Sequence, residues 1–155
     1  MNAGIVVGIE GTPAGRAALE WAMREGMLRG RPVTVVHAWG MTEMSPIGSL
    51  GVPSGETLSL SAEEWWTVKL KQGRPPFMVD MKITDDEGRA LPHDGRTFGR
   101  LKVKGPAVAR SYYKGEGNAA FDPEGWFDTG DVATIDPYGY MQVPDRAKDV
   151  IKSGG

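Results

Sequence analysis

"PVTVVHAWGMTEMSP", residues 32–46, begins as strand and ends as a loop that carries chemistry. Val33, Val35 and Val36 are β-branched residues of the kind that fill a buried strand, and the strand is expected to run through "PVTVVHAW". Gly40 breaks the pattern: without a Cβ the backbone turns sharply and lets a ligand approach closely. Thr42 and Glu43 then set a hydroxyl beside a carboxylate. The hydroxyl can donate to a phosphate oxygen, and the carboxylate can hold Mg²⁺. Trp39 offers a planar platform for a base. The position also fits, because ligands of open α/β sheets sit off the carboxyl ends of the strands. An ordinary strand-to-loop turn with exposed Thr and Glu accounts for the same pentapeptide.

Upstream, "GIVVGIE" (residues 4–10) is a short apolar run bounded by polar residues, a buried strand. Thr12 is placed to cap a helix with Pro13 at its first position. Ala17, Ala18, Trp21, Ala22, Met27 and Leu28 recur at helical spacing, with Arg16, Glu20, Arg24 and Glu25 mostly on the other face. Gly30 supplies the left-handed stop. Strand, helix and strand within 40 residues predict a parallel βαβ unit over residues 1–40.

Downstream the texture changes. Residues 44–60 are rich in Ser, Gly and Pro and read as loop. Ser61 and Glu64 have capping-box spacing, so a short helix is expected over about 62–72, ended by Pro75 and Pro76. Residues 41–74 are thus loop plus helix. Over 75–145, "FMVDMKITD", "FGRLKVKG", "AVARSYY", "DVATID" and "YMQVP" read as short strands separated by Gly- and Asp-rich turns. They predict a small antiparallel, barrel-like region. The fold class is therefore α/β (α+β): a parallel βαβ unit followed by that region, with residues 146–155 as a truncated terminal segment.

Composition narrows the function. The chain has 155 residues, a net charge of −2, two histidines and no cysteine. That charge gives no reason to expect a nucleic-acid partner. No apolar run approaches the ~18 residues of a membrane span. Neither disulfides nor a zinc site is expected, and a reducing cytoplasm is the compartment that suits. Unpaired edges on a small sheet favour self-association.

Two further segments carry candidate residues. In "WFDTGDVATID", Asp131 follows Gly130 and can accept from the two hydroxyls of a ribose, or cap its own backbone as a turn residue. In "DRAKDVIKSGG", Arg146 can clamp a phosphate or a ribose, with Lys148 and Lys152 adding charge; a solvated mixed-charge segment reads the same way.

Taken together, residues 37–155 resemble the AMP-forming acyl-CoA synthetases of the adenylate-forming superfamily, close to bacterial medium- and long-chain fatty-acid–CoA ligases. "HAWGMTEMSP", "KQGRPPF", "DMKITDDEGRALPHDG", "GRLKVKGPAVARSYYKGEG", "GWFDTGDVATIDPYGYM" and "DRAKDVIKSGG" carry the resemblance in the family's order. It implies adenine on Trp39, with Gly40 and Met41 beside it, and a phosphate contact and catalytic role for Thr42. It implies Mg²⁺ on Glu43, also catalytic, the ribose hydroxyls on Asp131 and Arg146, and a domain hinge at Lys148. The implied cofactors are ATP or AMP and Mg²⁺, with CoA and a fatty acid as co-substrates. The reaction is acyl-adenylate formation followed by thioester formation. The family's upstream phosphate loop ending in Pro-Lys-Gly has no counterpart in residues 1–36, and "IKSGG" is expected to be a truncation before the lysine-bearing C-terminal domain. Weak or absent turnover by the chain alone follows.

"GIVVGIEGTPAGRAALEWAMREGMLRGRPVTVVHAW" also resembles the opening strand–helix–strand of universal stress proteins, with Glu10 where that family's adenine-side Asp stands. A chimera joined at "HAW" is the expectation. The alternatives are a universal-stress-type nucleotide-binding module and a folded scaffold with no ligand.

Overall fold

The structure, a computed structural model, describes residues 4–8 and 12–146, with the side chains of residues 145 and 146 left aside. Glu10, Lys148 and Lys152, singled out above, lie outside the described residues.

Strands β1 (Ile5–Gly8) and β2 (Val33–Val36) pair in parallel around helix α1 (Pro13–Arg29), in register Ile5 with Val33 through Gly8 with Val36. The helix starts as its sequence dictates: the Thr12 side chain accepts from the Gly15 N–H at 3.1 Å, Pro13 is the first helical residue, and Gly30 stops it at φ 57°. Its packing face differs from the expectation. Gly15, Ala22 and Gly26 are buried, whereas Trp21, Met27 and Leu28 are 63%, 82% and 75% exposed. The small residues bring α1 close to the strands: a Cβ on Gly26 would press on the Val33 side chain and the Arg31 carbonyl. Two strands are too narrow to cover a wider helical face.

The second strand is shorter than "PVTVVHAW" suggests. It ends at Val36, and the chain re-enters extended structure as β3 (Ala38–Gly40), which pairs antiparallel with β4 (Ile47–Leu50) in a separate two-stranded sheet. So the segment 44–60 is not all loop. Between these strands lie a 3₁₀ turn at Thr42–Met44 and a cis Ser45–Pro46 bond. A second 3₁₀ turn follows at Thr57–Ser59. Helix α2 (Ala62–Lys69) carries the expected capping box between Ser61 and Glu64, but it ends at Lys69, three residues short of the expected end at residue 72.

The larger sheet is β5 (Asp80–Thr84), β6 (Gly99–Lys104), β7 (Phe127–Ile135) and β8 (Met141–Arg146), all antiparallel in the order β5-β6-β7-β8. β5 and β8 are its edges, so it is an open half-barrel rather than a closed one. Register shifts in the β6–β7 and β7–β8 pairs mark the irregularities that curl such sheets. "AVARSYY" is not a strand; it crosses beside the sheet and serves the site below. Along β6, Gly99, Leu101 and Val103 are buried and alternate with Arg100, Lys102 and Lys104. The inward face forms two apolar clusters, Met44, Val79, Val103, Val108 and Phe127, and Ile83, Leu101, Ala133, Ile135 and Met141; Trp39 and Met81 pack against both.

What lays β3–β4 on this sheet is the stretch Gln72–Arg74. Leu50 and Arg74 exchange backbone hydrogen bonds at 2.9 and 3.1 Å. On the other side Gln72 N donates to Met141 O at 3.0 Å, and Met141 N to Gly73 O at 2.8 Å. Gly73 has φ 101°, and a Cβ there would overlap the Leu50 carbonyl, so only glycine fits. Lys69 Nζ reaches Val35 O at 3.1 Å and Lys71 Nζ reaches Asp136 Oδ2 at 2.5 Å, fastening α2 between β2 and the β7–β8 turn.

Candidate functional site

The loop from Trp39 to Met44 lies over the inward face of the larger sheet. Met44 is buried in the first cluster and anchors it. Gly40 is required by close approach: a Cβ would overlap the Pro46 carbonyl oxygen. Gly48 is required on the paired strand, where a Cβ would collide with the Trp39 ring and the Met44 sulfur. The indole is thereby fixed, and its Nε1–H donates to Asp131 Oδ2 at 3.0 Å, across 92 positions of sequence.

Asp131 sits in the middle of β7, not at the start of a strand, and it is only 7% exposed. Its neighbours explain its placement. Thr129 Oγ1 donates to Leu101 O at 3.0 Å on β6 and accepts from Asp131 N at 3.2 Å. Gly130, at φ 76°, takes a conformation that glycine alone adopts easily, within the shifted register. Capping of the local backbone, the alternative reading of Asp131, belongs instead to Asp128, whose Oδ1 accepts from Gly130 N at 3.0 Å. Asp131 is registered opposite Arg146 on β8. Trp39, Asp131 and the backbone of Arg146 thus share one neighbourhood.

Thr42 is exposed on the 3₁₀ turn, and Met41, half-buried, packs against the first cluster. Glu43 is half-buried and held twice by the segment "AVARSYY". Ala109 N donates to Glu43 O at 2.7 Å, and Tyr112 Oη donates to Glu43 Oε1 at 2.7 Å. That bond to a carboxylate, with burial and the negative charge adding to it, holds the Tyr112 hydroxyl above its ordinary pKa. The sequence gives no local signal for Tyr112, whose partner Glu43 lies 69 residues away.

Among the described residues no three His, Cys, Asp or Glu side chains cluster as a metal site. A lone carboxylate suits Mg²⁺, which keeps its waters and is shared with substrate phosphates rather than caged by protein. Glu43 Oε1 is engaged by Tyr112, and Oε2 has no hydrogen-bond partner among the described residues.

A flanking strand–helix–strand, a loop laid over a curled antiparallel sheet, and a buried carboxylate bonded to that loop make up a mixed α/β scaffold. The AMP-binding enzyme family matches residues 5–113, and the chain belongs to it. Its curated relatives include the 3-methylmercaptopropionyl-CoA ligase of Ruegeria lacuscaerulensis, 48% identical over 95% of this chain and 27% of the relative. The medium-chain-fatty-acid–CoA ligase of Ectopseudomonas oleovorans is 49% identical over 79% of this chain and 22% of its own. Among solved structures, the O-succinylbenzoate coenzyme A synthetase of Bacillus subtilis, in complex with ATP and magnesium ion, superposes with a TM-score of 0.65. That match has 30% identity and covers 99% of this chain and 28% of that one. The chain therefore spans about a quarter of the length of the relatives it matches. The family match takes in β1, α1 and β2 as well as the loop, so the strand–helix–strand is included in the resemblance to AMP-binding enzymes. No helix among the described residues is long and apolar enough to cross a membrane.

Proposed function

We propose that this chain carries the adenosine side of an acyl-CoA ligase site, the part that receives ATP or AMP in enzymes that join a fatty or related carboxylic acid to CoA. One observation supports it above the others: the Trp39 indole, on the "GMTE" loop, is hydrogen-bonded to Asp131, the acid of "TGD". Two motifs 92 residues apart, each ambiguous alone, meet as side chains.

In this reading the indole supplies a face for adenine while its N–H orients the Asp131 carboxylate toward the ribose hydroxyls. Arg146, opposite Asp131 in the β7–β8 register, lies at the same ribose. Thr42, exposed at the tip, donates to a phosphate oxygen. Glu43 would hold Mg²⁺ through the oxygen that Tyr112 leaves open, and the ion would supply charge neutralisation at the phosphates. Adenylation also needs preorganised charge around the reacting phosphate. The exposed Thr42 and half-buried Glu43 supply little of it, so binding with weak or absent turnover is the expectation for these 155 residues alone. Lys148 as a domain hinge, a cytoplasmic setting and self-association complete the proposal.

Neither a chimera joined at "HAW" nor a universal-stress-type nucleotide-binding module with its contact at Glu10 is favoured, because the family match begins at Ile5. Thermal unfolding with Mg-ATP, with AMP and without nucleotide tests the main proposal. A ligand at a hundred times its dissociation constant adds about 2.7 kcal/mol. A transition raised by nucleotide in the native chain, and unmoved in Asp131→Ala, is the expected result. A native transition that nucleotide leaves in place overturns it.

A further inference from the structure

We propose that Tyr112 is a positioning residue for divalent-metal binding: its hydroxyl holds one oxygen of Glu43 so that the other faces the metal. The inference rests on the proposed role of Glu43 and deepens it.

Three observations carry it. The bond is short, 2.7 Å from Tyr112 Oη to Glu43 Oε1, and it leaves Glu43 Oε2 without a hydrogen-bond partner among the described residues. The same segment holds the Glu43 backbone through Ala109 N at 2.7 Å, so main chain and side chain are clamped together. Tyr112 is itself immobilised. Its ring meets Phe121 edge-on at 5.6 Å and Phe127 at 6.3 Å, its N–H donates to Asn118 Oδ1 at 2.9 Å, and a Cβ on Gly117 would press against its ring at 3.1 Å.

The physical reason is rotational. A free Glu side chain samples several rotamers, and ordering it on the metal costs entropy at the moment of binding. A hydroxyl anchored in an aromatic cluster removes that cost beforehand. Groups that orient a metal ligand in this way typically change metal affinity 10- to 100-fold when removed. With a single protein carboxylate, the lower end, about tenfold, is expected here.

The test uses the full chain and Mn²⁺ as the probe, followed by electron paramagnetic resonance in the presence of ATP. Native protein is compared with Tyr112→Phe, which keeps the ring and loses the hydroxyl, and with Glu43→Gln. ATP affinity in EDTA is measured for each. The expected result is a roughly tenfold weaker Mn²⁺ dissociation constant in both variants, with metal-free ATP affinity unchanged. If Glu43→Gln weakens Mn²⁺ binding and Tyr112→Phe does not, the positioning role is wrong while the Glu43 assignment survives. If Tyr112→Phe weakens metal-free ATP binding by the same factor, the hydroxyl serves the fold and the proposal fails. Should Mn²⁺ bind all three proteins alike, or none of them, the Glu43 assignment fails and takes this inference with it.

Discussion

Trp39 and Asp131 meet through a 3.0 Å hydrogen bond between the indole N–H and a carboxylate oxygen that is almost fully buried. The pair joins the loop that ends the β3 strand to the centre of the larger sheet. Trp39→Phe keeps an aromatic face and removes the donor. An acceptor left short of a partner in a buried setting costs about 1–3 kcal/mol. Urea unfolding of the native protein, Trp39→Phe, Asp131→Asn and the double variant is expected to show a favourable coupling of about 1 kcal/mol or more between the two positions. Additive single effects refute the coupling.

Gly48 answers for the indole's position. A methyl group there would collide with the Trp39 ring and the sulfur of Met44, and Met44 is buried. Overpacking of this kind costs about 1–3 kcal/mol. Gly48→Ala is expected to lose stability by that amount and to shift the tryptophan fluorescence, because Trp39 must leave its seat. A variant as stable as the native chain, with an unchanged spectrum, contradicts the packing described.

Some of this arrangement is legible in the sequence and some is not, for physical reasons. The Thr12 cap, the Gly30 stop and the Ser61–Glu64 capping box are local: each is settled by groups within four residues, so spacing alone predicts them. β5, β6 and β8 follow from short apolar runs between turns. The split between β2 and β3 was hidden, because "VTVVHAW" is uniformly strand-like and the change of sheet at His37 is made by distant partners. One of those is visible: Gly51 N donates to His37 O at 2.8 Å. "AVARSYY" looks extended because Val and Tyr suit strands, yet its backbone N–H groups donate to Gly105, Glu43 and Asn118 rather than to a neighbouring strand. Periodicity marks the apolar residues of α1 without saying how wide a sheet lies opposite, so its packing face is not legible in the sequence. For the site, the candidate residues were readable as types. Their convergence was not, since it rests on contacts such as Trp39–Asp131 and Tyr112–Glu43, 92 and 69 residues apart.

Gly73 is the clip between the β3–β4 hairpin and β8. It must hold φ 101° while its backbone touches Leu50 on one side and Met141 on the other. Gly73→Ala meets both a disfavoured conformation and an overlap with the Leu50 carbonyl. Hydrogen exchange is the informative measurement. The amides of Leu50 and Met141 are expected to lose protection together, ahead of amides in the β6–β7 pair. Protection lost evenly across the sheet shows that the clip is not a separate element.

The turn at Asp94 makes an acid-sensitive contribution to stability. The Asp94 carboxylate accepts from the backbone N–H groups of Thr97 and Arg96, at 2.7 and 2.8 Å, and from the Thr97 hydroxyl at 2.8 Å. These bonds, the Thr97 amide foremost, pull its pKa down to about 2. A carboxylate in the unfolded chain titrates near 3.9. Because the folded value is the lower one, the charged form is favoured by folding. The contribution is whole above about pH 4 and is lost as pH falls toward 2. Asp94→Ala is therefore expected to unfold at a lower temperature than the native chain at pH 7. The gap should stay constant down to about pH 4 and narrow below it. A gap that holds its size from pH 7 to pH 3 means the turn is stabilised by its backbone shape and not by the ionised side chain.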